Sequence, residues 1–417
     1  MLLTTLILFI IALAVGHIME KCKLPSLLGY MIVGLIFSPY AMEYFQVKGN
    51  WSEILFIHHH SINQSGPVRD MALYIILFRA GLGLDRSGLK LHGSNALYMC
   101  FVPCFIEAVL VTVSAHYFLG LPIIESSILA FVLAAVSPAV IVPQMLELQK
   151  ENIGTDKKIP TLILAGSTVD DILAISGFGI CISLLGVEAN EEWRQLIFKI
   201  PFSIITGLVI GFYLARPVIV AIKSSQLHKF FYPLILLAIA FGFKQLEESQ
   251  LFFFSHLIAI LALGLSIQAM DFEFAEEVSK WMAKIWGVAV VFLFVLIGAM
   301  VDPATALNAG FYGLIILTIG IAGRSIGVYL SLIGSNLNSR EKIFCVIAYI
   351  PKATVQATIG GIALTMFIKG KIWLFDGAKT GDLIVAFAAL SILVTAPLGS
   401  IGIRIFSKKL LKNEEKV

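Results

Sequence analysis

Long apolar runs alternate along this chain with short polar intervals. Runs of roughly 17 to 28 residues, enough to cross a bilayer, recur at 3–19, 24–41, 68–84, 94–119, 124–145, 159–186, 196–222, 228–244, 252–269, 280–302, 309–333, 341–368 and 382–407. The pattern predicts an all-α polytopic membrane protein with about 13 transmembrane helices. The intervals are too short to house a separate folded domain. Composition narrows the class no further: 58% hydrophobic residues, 14% charged and a mean hydropathy of +0.92 fit a polytopic membrane protein and nothing else.

The net charge of +3 carries little information, but its distribution carries more. Lys and Arg gather in alternate intervals, at Lys21/Lys23, Arg86/Lys90, Lys150/Lys157/Lys158, Lys223, Lys280/Lys284, Arg340/Lys342 and the tail from Arg404 to Lys416. By the positive-inside rule the N-terminus is outside and the C-terminus inside. Segment 1–19 has no basic leader and no small-residue cleavage site, so it reads as a retained first helix. Short loops and a minimal tail point to a bacterial cytoplasmic membrane. The five cysteines lack a CxxC pair and read as packed thiols. His58-His59-His60 cannot share one helix face, so this run reads as part of a solvated external loop over 42–67 rather than a metal site. No GxxxxGK[ST] loop is present, which argues against ATP-driven pumping.

Polar residues inside the apolar runs carry the chemistry. In 159–186, Asp170 and Asp171 stand roughly 17 Å along the helix, near the middle of a hydrocarbon layer about 30 Å thick. Each acid there costs about 2.5–3.5 kcal/mol to insert. Neighbouring helix positions diverge by about 100°, so one carboxylate can face a site while the other faces a counter-charge. Glu107, Arg324 and Lys352 lie at similar depth in other runs, and three acids against two bases suggest convergence. Glu107–Arg324 reads first as a structural ion pair. Arg79, near the inner end of its run, reads either as snorkelling to the interface or as ion-paired.

Two runs contain helix breakers. SPAVIVP places Ser137, Pro138 and Pro143 inside 124–145, and IPKATVQA places Pro351, Lys352 and Thr354 inside 341–368. Broken backbone at that depth must line a cavity or be covered by protein. The breaks occupy corresponding places in two halves, 1–186 and 228–407, of six runs each, joined by 196–222. Such a pair points to a secondary-transporter site, and the odd linker inverts the second repeat. Lys352 would offset carbonyls or helix ends exposed by the breaks. Hard-cation oxygens would come from Asp170, Asp171, Ser167, Thr168 and carbonyls freed near Ser137–Val140. An acid pulled up by burial and down by nearby bases holds either a proton or a cation.

SPAVIVP, TVDDILAI and IPKATVQA, in that order with LFRAGLGLD ahead of them, resemble the sodium/proton antiporters of the cation:proton antiporter superfamily, and within it the NHA exchangers. The resemblance covers essentially the whole chain. It implies a homodimer in which a core domain, 94–186 and 309–407, moves against a dimerisation domain, 1–84 and 228–302, in an elevator-like cycle, with 196–222 as linker helix. It sets the paired aspartates on Asp170 and Asp171 and the crossed, broken helices on SPAVIVP and IPKATVQA. Much of the superfamily has a lysine where this chain has Arg324; the NHA branch shares the arginine. A guanidinium keeps its proton, so electroneutral exchange is expected.

The expected activity is exchange of Na⁺ or Li⁺ for H⁺, with no cofactor, no nucleic-acid partner and membrane lipid as surroundings. A K⁺/H⁺ antiporter or an organic-anion symporter on the same fold is the alternative. A channel lacks its filter carbonyls here, and adjacent aspartates on one helix do not suit aspartyl chemistry.

Overall fold

The computed structural model describes residues 2–411 apart from 23, 48, 84–85, 186–191, 226, 250–252, 303–306 and 308; at 2, 50, 51, 53, 63, 86–90, 92, 168, 172, 183 and 192–201 it describes the backbone alone. Lys23 and the tail beyond Leu411, to which the sequence assigned inner-face charges, lie outside the described residues.

Each of the apolar runs contains helix. The first part of the chain forms α1 (Leu2–Lys21), α2 (Ser26–Ile36), the short α3 (Pro39–Tyr44), α4 (Asn50–Leu55) and α5 (His59–Gln64), then α6 (Gly66–Gly83) and α7 (Arg86–Leu119). The two-part run follows as α8 (Ile123–Ala134) and α9 (Pro138–Lys150), then α10 (Ile159–Leu184) and α11 (Glu192–Ser224). The second part comprises α12 (Phe231–Glu248), α13 (His256–Met270), α14 (Phe272–Met300), α15 (Gly310–Ser331), α16 (Ser339–Ala348), α17 (Thr354–Ile359), α18 (Ile362–Ile368) and α19 (Ala378–Leu410). Among the described residues, eight helical stretches are long and apolar enough to cross a membrane, and three shorter apolar ones accompany them. The protein is an all-helical integral membrane protein. The interval 42–67, read as a solvated loop, carries three short helices instead; His59 starts the last of them and pairs with Glu43 at 3.2 Å on the surface.

Lipid-facing surface explains the many exposed apolar side chains. Leu6 and Ile10 of α1 and Ile205 and Tyr213 of α11 stay uncovered because hydrocarbon, not water, would meet them. Where helices do meet, small residues let backbones approach. Gly34 of α2 and Gly298 of α14 face each other's backbone: a Cβ at the first would strike the Val295 carbonyl, and one at the second the Met31 carbonyl. Gly29, the other glycine of that spacing, abuts Gly16 of α1. Gly93 adopts a φ of +45° and kinks α7 after its first turns.

Helices α1, α2, α6, α13 and α14 pack on one another, with α11 and α12 against α13. Helices α7, α8, α10, α15 and α16–α19 form a second group, whose own apolar cluster includes Val111, Leu129, Phe178, Ile316 and Phe387. Pro138 opens α9 after an extended Ser137, but Pro143 lies inside α9 without interrupting it, so only one of the two expected prolines marks the break. Proline at the first position of a helix loses no intrahelical bond.

Candidate functional site

The two breaks meet. The Ser137 amide donates to the Pro351 carbonyl at 2.8 Å, and the Ser137 and Thr354 hydroxyls stand 3.4 Å apart. Ala135 and Ser137 are extended, so the last carbonyls of α8 have no amide of their own run to accept from. Side chains take their place. Gln356 Nε2 donates to Val132 O at 3.1 Å and Ala135 O at 2.8 Å, Lys352 Nζ donates to Leu133 O at 2.5 Å, and Arg324 Nη2 donates to Ala134 O. The freed carbonyls thus lie at 132–135, one turn before the stretch Ser137–Val140 where the sequence placed them, and they are already occupied. The Lys352 amide is held by Thr395 Oγ1 at 3.0 Å.

Four of the five membrane-buried charges form one network. Arg324 grips Asp170 with both terminal nitrogens, Nη1 to Oδ1 at 3.3 Å and Nη2 to Oδ2 at 3.1 Å, while its Nε donates to Glu107. Lys352 Nζ stands 2.7 Å from Glu107 Oε1, an ion pair off the line of a hydrogen bond. The Val136 amide, at the break, completes Asp170 with a 2.9 Å bond to Oδ2. Every member is buried. In their charged forms two acids and two bases cancel. Breaking such a set by removing one partner costs about 3–5 kcal/mol.

Asp171 is left over. It is buried, yet its Oδ1 has no hydrogen-bond partner. Ser167 lies one turn before it on the same helix stripe and donates its hydroxyl to Leu164 O at 3.3 Å. The Thr168 side chain lies outside the described residues. Asp170 has both oxygens engaged, so of these two aspartates it is Asp171 that has a carboxylate oxygen to offer a cation. Among the described residues no cluster of three or more His, Cys, Asp or Glu could hold a metal ion.

Three residues escaped the reading of the sequence. Gln356 sits within IPKATVQA, and a buried amide in an apolar run was the available signal. Tyr349 brings its ring 5.9 Å from the Arg324 guanidinium carbon, with an unpartnered hydroxyl packed on Gly166, where no Cβ would fit. Thr395, on α19, gave no signal at all. Of the five cysteines all are free, and four are buried as packed thiols.

Residues 5–409 match the sequence profile of the transmembrane sodium/hydrogen exchanger family. The chain belongs to that family. Its members are transporters rather than enzymes and need no cofactor. Among relatives, this exchanger-family chain is 35% identical over 425 residues to sodium/hydrogen exchanger 9B2 of Homo sapiens, covering 98% of this chain and 75% of the relative. It is 32% identical over 419 residues to human sodium/hydrogen exchanger 9B1, covering 97% and 77%. The fold is shared with the sodium proton antiporter MjNhaP1 of Methanocaldococcus jannaschii, at a TM-score of 0.76 over 97% of both chains with 20% identity.

Proposed function

We propose that this chain exchanges Na⁺ or Li⁺ for H⁺, with the Asp170–Asp171 pair binding cation and proton in competition and Asp171 presenting the open oxygen. The observation that carries the reading is the leftover charge. Glu107, Asp170, Arg324 and Lys352 neutralise one another, while Asp171 is a buried carboxylate without a counter-charge bonded to it. A buried anion in that position must take up either a proton or a hard cation. Ser167, Thr168 and water would complete the coordination of a cation, and Asp170 would join only after Arg324 releases it. A single exchangeable charge gives one proton for one monovalent cation, and thus electroneutral exchange.

The elevator-like cycle belongs to the same proposal. The helix group carrying the crossed breaks, 94–186 and 309–407, would move as the core domain against 1–84 and 228–302, the dimerisation domain of a homodimer, with 196–222 as the connecting helix. The N-terminus would face outside and the C-terminus inside, in a cytoplasmic membrane.

The test is cation-driven proton movement in proteoliposomes with Na⁺, Li⁺ and K⁺, for the wild type and Asp171→Asn. A Na⁺ or Li⁺ response that vanishes in the variant is expected. A response to K⁺ alone would replace the substrate, and silence for all three ions in the wild type would sink the reading. A membrane-potential dye that tracks turnover would overturn electroneutrality.

A further inference from the structure

One hydroxyl beside the charge network is buried with nothing to bond. Tyr349 directly follows α16, two positions before Pro351, and is fully buried, yet its Oη has no hydrogen-bond partner. Leaving such a group unmet costs about 1–3 kcal/mol. A phenylalanine would fill the same space without that cost.

Two contacts fix where the hydroxyl stands. The ring lies 5.9 Å from the Arg324 guanidinium carbon, at the edge of cation–π range. Oη itself presses on α10 at Gly166, where a Cβ would overlap it. Gly166 and Asp170 are four positions apart and share one stripe of α10, and helix side chains lean toward the N-terminus. The Asp170 carboxylate therefore leans along the stripe on which Oη rests. Its Oδ2 accepts two bonds, from Arg324 Nη2 and the Val136 amide, while Oδ1 accepts one, from Arg324 Nη1. A carboxylate has about four acceptor positions, so Oδ1 has room for another donor. An unmet donor and an acceptor with room thus stand one helical turn apart.

We propose that Tyr349 is a positioning residue for cation binding: when Arg324 releases Asp170, the Tyr349 hydroxyl donates to Asp170 Oδ1 and holds that carboxylate toward the cation. The inference rests on the proposed exchange of Na⁺ or Li⁺ for H⁺, in which Asp170 joins the cation only after that release. Tyr349 stands where α16 gives way to the break, so a small shift of that helix end carries Oη along the stripe. The phenol keeps its proton throughout. The bond it gains is charge-assisted and exists only in the cation-bound arrangement. Cation affinity depends on the hydroxyl, and stability without cation does not.

The experiment separates those two quantities. Wild type, Tyr349→Phe and Asp171→Asn are placed in proteoliposomes, and proton movement is followed over a range of Na⁺ and Li⁺ concentrations. The same preparations are melted without either cation. Tyr349→Phe is expected to raise the half-saturating cation concentration at least about 10-fold, the size of one lost bond to a charged group, with the saturated rate unchanged. Its cation-free melt should match wild type or lie above it, because no bond is lost. A variant that keeps the wild-type half-saturation, or that loses exchange altogether, would overturn the inference and leave the exchange reading standing. A lower midpoint, or failure to fold, would mean that the hydroxyl is already bonded without cation, and would overturn it as well. A wild type silent to both cations would remove the exchange reading, and this inference with it.

Discussion

Two faces of α10, one residue apart, have been given opposite treatment. On one face Asp170 is closed in by a bidentate arginine and a backbone amide from the helix break. On the other, Asp171 is equally buried but has an oxygen with nothing bonded to it. The same side chain at the same depth is therefore structural glue in one orientation and an available ligand in the other. The difference lies in what packs against each face. Glu107 on α7, Arg324 on α15 and Lys352 between α16 and α17 all converge on the Asp170 side. Burial alone does not leave a carboxylate available; burial without a partner does.

The sharpest way to break this comparison is to neutralise each acid in turn. Asp171→Asn is expected to lower exchange by more than about 100-fold while moving stability by less than about 1 kcal/mol, because no native bond is lost. Proton flux in proteoliposomes and a thermal melt of the same preparation check both halves. If exchange survives, the open face is not the site. Glu107→Gln acts on the closed face. It leaves Arg324 and Lys352 facing one acid, and should cost about 3–5 kcal/mol of stability. Adding Lys352→Met should recover part of that loss, and a double-mutant cycle in denaturant or heat measures the coupling.

Smaller effects are expected further from the charges. Gln356→Met uncovers two carbonyls at the end of α8 and should cost about 1–3 kcal/mol, read from the unfolding midpoint. Gly34→Ala drives a methyl into the Val295 carbonyl and should cost a comparable 1–3 kcal/mol or so by overpacking, with the α2–α14 contact loosened. The smallest concerns Asp271, which lies between the spanning stretches, caps α14 through the Phe274 amide and meets Lys223 at the end of α11. The Lys223 ammonium bonded to it holds this carboxyl below its usual range. Its contribution is therefore full above the unfolded value near 4 and lost as pH falls through the lower folded value; for so exposed a pair it amounts to about 0.5 kcal/mol. A melt series from pH 7 down to pH 3, wild type against Asp271→Asn, should converge at the acid end.

Much of this architecture was legible because its signals are local. Apolar run length marks helices, and Pro138 and Pro351 mark breaks, each from a few neighbouring residues. The depth of Asp170, Asp171, Glu107, Arg324 and Lys352 could be counted along single helices. Pro143 misled because it forgoes one bond inside α9, to the carbonyl of Ala139, yet the helix runs on through it. The occupied carbonyls at 132–135 were missed for a different cause. Which acceptor a lysine or a glutamine reaches depends on a helix more than 200 positions away in the chain.

The amino-acid sequence by itself determined that this chain crosses a membrane many times, that two of its runs are interrupted and that five charges lie at mid-depth. Hydrocarbon admits only backbone that bonds to itself, and few residue patterns satisfy that demand. Only the tertiary structure decided which charges meet. Asp170 and Asp171 are the same residue in nearly the same sequence context. Helix rotation sends one toward Arg324 and the other away from any partner, and the packing that sets this rotation comes from α7, α8 and α15, not from α10.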